Sequence, residues 1–161
     1  MIIRGSSLVG HLARPNPVWR HGGEALAIFT GVDGYVSPRW YEAKRVDGKV
    51  VPTWNYTTVH ARGTLVAHDE PQWKLDLVTQ LTDRFELGAN LPWAVTDAPP
   101  DYVEALLRGI VGIEIVDVAF ESKTKLSQNR SAVDRATAAA GLAEGTPREQ
   151  ALAEVMRALD E

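Results

Sequence analysis

Cysteine is absent from this 161-residue chain, which excludes disulfide bonds, thiol catalysis and thiolate metal sites at once. The chain has no apolar run of membrane-spanning length, and its first residues lack the long apolar core of a secretory signal. The formal net charge is -4, so no overall positive field favours nucleic acid or an anionic membrane. Together these absences predict a cytoplasmic protein that does not enter membranes.

Several motifs that identify enzyme sites are also absent. The chain contains no Gly-x-Gly-x-x-Gly and no Walker-type loop, so neither a Rossmann nor a P-loop nucleotide site is predicted. It contains no Gly-x-Ser-x-Gly elbow. None of the four histidines stands at helical i, i+4 spacing from another metal ligand: His11, His21, His60 and His68. The sequence therefore predicts no metal site and assigns no catalytic residue.

The clearest secondary-structure element is a strand over residues 53–66. Its two faces separate by parity, and one of them carries aromatic and basic side chains: Trp54, Tyr56, Thr58, His60 and Arg62. Such a stripe suits a cofactor wall, because Trp and Tyr offer a flat apolar face with a polar edge. It also suits a subunit interface or the solvated side of a barrel, and the pattern alone leaves these alternatives open.

The segment Lys125-Leu126-Ser127-Gln128-Asn129-Arg130 follows a predicted strand over residues 113–125. It holds two cations and three hydrogen-bonding side chains, and charge-assisted bonds from such cations suit a phosphate-bearing cofactor. The alternative is a solvated strand end that caps the next helix. We interpret Lys125, Ser127, Gln128 and Asn129 as ligands for carbonyls or a phosphate. With Trp54 and Tyr56, this set fits flavin mononucleotide (FMN), which is flat, hydrogen-bonds along one edge and ends in a phosphate.

Residues 8–14 are interpreted as a strand end that passes into a short helix, which Pro15 and Pro17 stop. The amides at the start of that helix, beside His11, would receive an anion while Arg14 supplies charge. The alternative is a helix start with a solvated arginine.

The remaining pattern predicts a strand over residues 24–32, followed by a tight turn at Asp33-Gly34 and a second turn at Asp47-Gly48. A helix starts at Pro71, with a core face that is expected to contain Trp73, Leu77, Leu81 and Phe85. A short helix follows over residues 100–108. In the strand at 113–125 the apolar parity switches after Ile115, which predicts a β-bulge or burial on both faces.

Two helices are predicted at the end of the chain. Ser131 caps the first, which ends near Gly141, and Thr146-Pro147-Arg148-Glu149 is a capping box for the second. We interpret the whole chain, residues 1–161, as one α+β domain, with a barrel and inserted helices over 1–130 and a C-terminal helical appendage over 131–161.

Five blocks resemble the PaiB-type family of FMN-binding negative transcriptional regulators, in the same order: GHLARPNP at 10–17, GEALAIF at 23–29, YVSP at 35–38, VPTWNY at 51–56 and KLSQNR at 125–130. The resemblance implies a split β-barrel related to pyridoxamine-phosphate-oxidase-like flavoproteins, and a homodimer with FMN at the subunit interface. Members of the family carry a longer N-terminal segment with a helix and the first barrel strands. Without that segment we expect an open sheet edge that invites association.

The resemblance and the residue patterns together give one set of predicted cofactor-binding residues: His11, Arg14, Trp54, Tyr56, His60, Lys125, Ser127, Gln128 and Asn129. The leading hypothesis is an FMN-binding regulator. A flavin-dependent oxidoreductase is the alternative, and haem held by His11 and His60 is a variant of it. A DNA or regulatory-protein partner is a further hypothesis. Direct DNA contact would use the arginines of the last two helices, although acidic residues, Asp160 and Glu161 among them, balance their charge.

Overall fold

A computed structural model of the chain describes residues 1–159. It has five strands: β1 (Ile2–Arg4), β2 (Ser7–Ala13), β3 (Gly23–Val36), β4 (Thr53–His68) and β5 (Ile110–Lys125). It has five α-helices: α1 (Ala43–Val46), α2 (Pro71–Glu86), α3 (Pro100–Arg108), α4 (Ala132–Ala143) and α5 (Pro147–Arg157). This content confirms the predicted α+β class and is consistent with a split barrel.

The five strands form one sheet in the order β1-β2-β5-β4-β3. β1 and β2 are antiparallel, with Ile2 opposite Val9. β2 and β5 are antiparallel as well, and their register runs from Leu8 opposite Ile115 to Ala13 opposite Ile110. The sequence neighbours β4 and β5 are joined through α2 and α3, so these helices are inserted between two adjacent strands.

The chain divides into two compact units. The first comprises Met1–Ala27 and Ala61–Ala119, and the second comprises Ile28–His60 and the chain from Phe120 onward. The first unit has a core formed by Leu8, Ala61, Leu65, Ile113 and Ile115. The second unit has its own core, formed by Val36, Tyr41, Leu126, Ala138, Ala139, Leu142, Leu152, Ala153 and Met156.

In the first unit, β5 changes the face that it buries at Asp117. Before this residue Val111, Ile113 and Ile115 are buried, and after it the half-buried Val118 packs on the same core. Asp117 has a φ of 53°, in the left-handed region that side chains rarely adopt. A left-handed residue at a change of parity is the geometry of a β-bulge, as the apolar pattern of this strand predicted.

Gly63 on β4 allows the close approach of β5 beside this bulge. A Cβ atom placed on Gly63 would lie 2.4 Å from the backbone oxygen of Val116 and 2.7 Å from Cγ2 of Ile115. We expect Gly63→Ala to lower the free energy of unfolding by about 1–3 kcal/mol, because a backbone oxygen cannot move aside as a flexible side chain can. Urea unfolding measures the change, with the exposed Thr64→Ala as control. Equal effects of the two substitutions would contradict the close approach.

In the second unit, the two C-terminal helices start as predicted. The Ser131 hydroxyl accepts a hydrogen bond from the Asp134 amide at 3.1 Å. The Thr146 amide donates to the Glu149 carboxylate at 2.7 Å, and the Thr146 hydroxyl accepts from the Glu149 amide at 3.4 Å, which completes the capping box. The predicted turn at Asp47-Gly48 is also present, with Gly48 at a φ of 69°. Asp160 and Glu161 lie outside the described residues.

Two predicted elements are wrong. Residues 8–14 do not enter a helix: β2 continues to Ala13, because pairing with β5 extends to its partner Ile110. The Asp33-Gly34 turn is also absent, because β3 runs through it to Val36. Gly34 is buried there, and an added Cβ would lie 2.9 Å from Leu152 on α5. Its small size therefore serves close packing rather than a turn.

The predicted core face of α2 is only partly buried. Leu77 is fully buried, and Trp73 and Leu81 are half-buried. Phe85 is 75% exposed, so its assignment to the core was wrong. The helix ends one residue later, at Glu86, and in this last turn the helical spacing of apolar residues does not correspond to burial. No helix within residues 1–159 is both long enough and apolar enough to cross a membrane.

Candidate functional site

Trp54 is the best-defined of the predicted cofactor residues. It lies near the start of β4 in the second unit and is 51% exposed, so a large part of its indole surface is accessible. Its Nε1 donates a hydrogen bond to Oδ2 of Asp33 on β3 at 3.3 Å. Arg148 of α5 donates to the other oxygen of the same carboxylate, through Nε at 2.7 Å and also through Nη2. The hydrogen bonds from Arg148 are the main cause that lowers the pKa of Asp33.

Tyr56 and His60 follow Trp54 on the same face of β4 at even spacing, and both are half-buried. Thr58, between them, donates its hydroxyl to the carbonyl of Phe29 at 3.2 Å, which ties this face of β4 to β3. The predicted aromatic and basic stripe is therefore brought together within the second unit, up to His60 at its boundary.

The segment after β5 is a tight turn that its own side chains hold. Gln128 accepts from the Leu126 amide at 2.7 Å and donates to the Thr124 carbonyl at 2.8 Å, so both ends of its amide are bound to the backbone. Ser127 has a φ of 65°, and its carbonyl accepts from the Arg130 amide at 2.9 Å. Lys125 and Asn129 are exposed. The turn thus leaves Lys125 and Asn129 exposed, while Gln128 forms hydrogen bonds within the turn.

Ser127 is buried at 4% exposure and faces Asn55, which is fully buried on β4. The two side chains form reciprocal hydrogen bonds at 3.1 and 3.2 Å, and the Asn55 amide also lies 3.4 Å from Sδ of Met156. Asn55 was missed as a functional candidate because it falls on the apolar parity of β4. An amide on that face was the available signal, since a buried polar group needs a partner.

Ser127→Ala should lower the free energy of unfolding by about 1–3 kcal/mol, because it removes the hydroxyl bound to both ends of the buried Asn55 amide and leaves its nitrogen only Sδ of Met156 as a partner among residues 1–159. Chemical denaturation provides the measurement. The exposed Asn129→Ala, two residues away in the same turn, serves as the control and should stay within about 0.5 kcal/mol of wild type. A wild-type midpoint for Ser127→Ala would contradict a structural role for the buried pair.

Arg130 lies over the ring of Tyr41, with its guanidinium carbon 4.8 Å from the ring centroid. Tyr41 is 1% exposed, and its hydroxyl has no hydrogen-bond partner within residues 1–159. The sequence analysis placed Arg130 in the donor-rich segment but did not connect it with Tyr41, which lies far away in sequence. The contact places a guanidinium beside the turn that also carries Lys125.

The other two predicted residues, His11 and Arg14, belong to the first unit. His11 lies exposed on β2, although neighbouring atoms desolvate its imidazole enough to lower its pKa. Arg14 donates to both carboxylate oxygens of Asp69, at 2.9 and 2.5 Å, and to the backbone carbonyl of Arg108 at 2.6 Å. The guanidinium of Arg14 is therefore engaged within the first unit.

Lys74 joins Arg14 at the same carboxylate. Its side chain is 4% exposed, and its ammonium donates to Oδ1 of Asp69 at 2.8 Å. The hydrogen bonds from Arg14, and then from Lys74, hold the pKa of Asp69 well below its usual range. Because Lys74 is almost fully buried, Asp69 is the group that compensates its charge. This cluster is structural, and the sequence analysis did not predict it.

The first unit also contains a cavity of about 720 Å³ between α2 and α3. Its lining includes apolar side chains from both helices and from the connection between them, together with the acidic residues Asp76, Asp83 and Glu104. None of the predicted cofactor residues lines it. Among residues 1–159, no three acidic, histidine or cysteine side chains are close enough together to hold a metal ion.

The donor set of the second unit fits FMN in part. An accessible indole and a neighbouring tyrosine on one strand face suit a flat ring, since aromatic faces stack with ring systems. Lys125 is exposed, and its ammonium suits a phosphate. Ser127 and Gln128 are bonded within the protein, so their contribution is to shape the turn.

Comparison with known proteins adds a family assignment. Residues 3–117 match the family described as "Putative FMN-binding domain". A protein of Emericella nidulans is 33% identical over 146 residues, which cover 83% of this chain and 58% of that protein. The Bacillus subtilis protein named protease synthase and sporulation protein PAI 2 is 32% identical over 130 residues, which cover 79% of this chain and 60% of that protein.

Among solved structures, the flavocytochrome Anf3 from Azotobacter vinelandii aligns with a TM-score of 0.46 and 11% identity, over 76% of this chain and 52% of that chain. The chain spans about three fifths of the length of the curated relatives named above. The matched segment, residues 3–117, includes β4 with Trp54, Tyr56 and His60 and ends before the turn that carries Lys125.

Proposed function

This chain belongs to the "Putative FMN-binding domain" family, and we propose that it binds FMN through the second unit. The family match confirms both the family and the cofactor that the sequence blocks predicted. The observation that carries the proposal is the accessible indole of Trp54, which lies within the matched segment and is fixed at its edge by Asp33. When bound, FMN supplies a redox-active isoalloxazine ring.

We assign separate roles to the residues of the second unit. Trp54 and Tyr56 provide the surface for the ring, with His60 further along the same face. The exposed Lys125 receives the phosphate, and Asn129 donates to polar edges of the cofactor. Ser127 and Gln128 hold the turn that presents these two side chains. His11 and Arg14 remain predictions from the sequence pattern, and their cofactor contacts form no part of this assignment.

We further propose that the protein acts as a homodimeric regulator, with a flavin-dependent oxidoreductase as the alternative. Support comes from the resemblance to PaiB-type regulators and from the Bacillus subtilis relative, whose name refers to protease synthesis and sporulation. The C-terminal helices favour a protein partner over DNA, because two of their arginines are engaged: Arg148 binds Asp33, and Arg135 donates to the carbonyl of Arg130 at 2.8 Å.

The test of the FMN proposal is identification of the cofactor that the purified protein carries. The protein is denatured, and the released small molecules are separated and identified by mass spectrometry. We expect FMN at up to one equivalent per chain. If FAD, riboflavin or haem is released in place of FMN, the assignment of Lys125 to a terminal phosphate is wrong. Sedimentation of the same sample reports whether the chain is a dimer.

A further inference from the structure

We propose that Asp33 and Arg148 are positioning residues, which fix the indole of Trp54 in the orientation that a flat cofactor needs. The inference rests on the proposed FMN site and adds to it a control of that site by the C-terminal helix. It concerns three elements of the second unit: β3 carries Asp33, β4 carries Trp54 and α5 carries Arg148.

Packing against neighbouring side chains does not by itself fix the orientation of the Trp54 indole. About half of the side chain is exposed, so core neighbours cover only part of the ring. Its polar restraint is the hydrogen bond from Nε1 to Oδ2 of Asp33 at 3.3 Å. Indole N–H is a donor only, so it needs an acceptor in a fixed place to define the ring orientation.

Arg148 in turn fixes the carboxylate of Asp33. Nε and Nη2 of Arg148 both donate to Oδ1 of Asp33, which leaves Oδ2 for Trp54. The Arg148 side chain is 69% exposed, and an ion pair at that exposure contributes little to stability. Its effect is therefore on orientation. The same hydrogen bonds from Arg148 are the main cause of the lowered pKa of Asp33.

The packing of α5 against β3 brings Arg148 within reach of Asp33. Leu152 of α5 is fully buried, and its Cδ2 would lie 2.9 Å from a Cβ atom on Gly34. The absence of a side chain on Gly34 therefore leaves room for Leu152 where α5 packs against β3. The Asp33-Gly34 pair, which resembles a turn in the sequence, is thus a contact site for α5. Gly34 leaves space for the helix, and Asp33 binds Arg148 in its first turn.

The test measures FMN affinity and indole orientation separately. Arg148→Ala should weaken FMN binding by about 3- to 10-fold, which is the range expected for the loss of one hydrogen-bonded restraint. The near-ultraviolet circular dichroism of the cofactor-free protein should also lose the part of its indole band that Trp54→Phe removes. Arg157→Ala, on the same helix, is the matched control and should change neither quantity.

A charge-swapped variant distinguishes two roles of the Asp33–Arg148 pair: orienting the Trp54 indole, or only holding α5 against β3. The double variant Asp33→Arg with Arg148→Asp restores an ion pair but removes the acceptor for the Trp54 indole, so FMN affinity should stay low. In a Trp54→Phe background, Arg148→Ala should have no further effect on affinity, because the group that it positions is gone. Full affinity in the charge swap, or an additive loss in the Phe background, would overturn the inference.

Failure of the proposed function gives a different pattern. If the wild-type protein takes up no FMN, the proposed function is wrong, and the dichroism of the cofactor-free variants still reports the indole restraint. If the wild type binds FMN and Arg148→Ala changes neither affinity nor dichroism, the positioning inference alone is wrong.

Discussion

Lys125→Ala is expected to weaken FMN binding by about 10- to 100-fold while leaving the affinity for riboflavin unchanged. The ammonium of Lys125 is exposed at the end of β5, and the proposal assigns it to the cofactor phosphate. A hydrogen bond to a charged group contributes about 1.5–3 kcal/mol, which corresponds to that range of affinities. Riboflavin has no phosphate, so removal of Lys125 should not affect it. Fluorescence titration with each flavin measures both constants.

Lys123 provides the matched control for this experiment. It lies two residues earlier on β5, on the same face of the strand, and it is also exposed. Lys123→Ala should leave both affinities at wild-type values. Equal losses for the two lysines would show a diffuse electrostatic effect rather than a phosphate contact, and a parallel loss of riboflavin binding would show that Lys125 shapes the ring site instead.

Asp69→Ala is expected to destabilise the chain by about 2–3 kcal/mol. The Lys74 side chain is 4% exposed, and the substitution would leave its ammonium buried without a counter-ion. The value is below that for a fully buried pair, because the Asp69 side chain is 53% exposed and solvent screens it. Urea unfolding at neutral pH measures the change.

The Lys74→Met background distinguishes the buried charge from other effects of Asp69. Without the buried ammonium, Asp69 pairs, among residues 1–159, only with the partly exposed Arg14, so Asp69→Ala should cost much less in that background. Asp83→Ala, at an exposed acid on α2, the helix that carries Lys74, is the control. A loss of the same size in both backgrounds would contradict the role of Asp69 as the counter-ion of Lys74.

The stabilisation by Asp69 also has a predicted pH dependence. The pKa of Asp69 is held below its ordinary value of 3.8 in the folded chain, so the folded state favours the ionised form. Its contribution is therefore complete above the unfolded-state pKa and is lost as the pH falls through the folded-state value. The difference in stability between wild type and Asp69→Ala should be constant near neutral pH and should shrink in acid. A constant difference down to strong acid would contradict the linkage.

The fold could be predicted where local signals and burial agree. Three features could be predicted from local sequence, because each depends on residues close together in the chain: the parity of β4, the bulge in β5 and the caps of α4 and α5. The prediction failed where a distant partner decides the structure. β2 stays extended because it pairs with β5, and Gly34 lies within a strand because α5 packs on it.

The same limit applies to the candidate site. Trp54, Tyr56 and Lys125 were predicted as site residues from their residue types and their spacing along the chain. The partners that fix Trp54 were missed, because Asp33 and Arg148 are 115 positions apart and meet only in the folded chain. Asn55 was missed for another reason: its parity places it among apolar residues, and only its contact with Ser127 shows why an amide is tolerated there.

The most direct test of the account is a visible-absorption titration of the cofactor-free chain with FMN. We predict a saturable shift and added fine structure of the flavin bands at one equivalent per chain, with quenching of tryptophan fluorescence that is reduced in Trp54→Phe. An FMN spectrum that stays identical to that of free FMN, in the presence of folded protein, would contradict the central claim that this chain binds FMN.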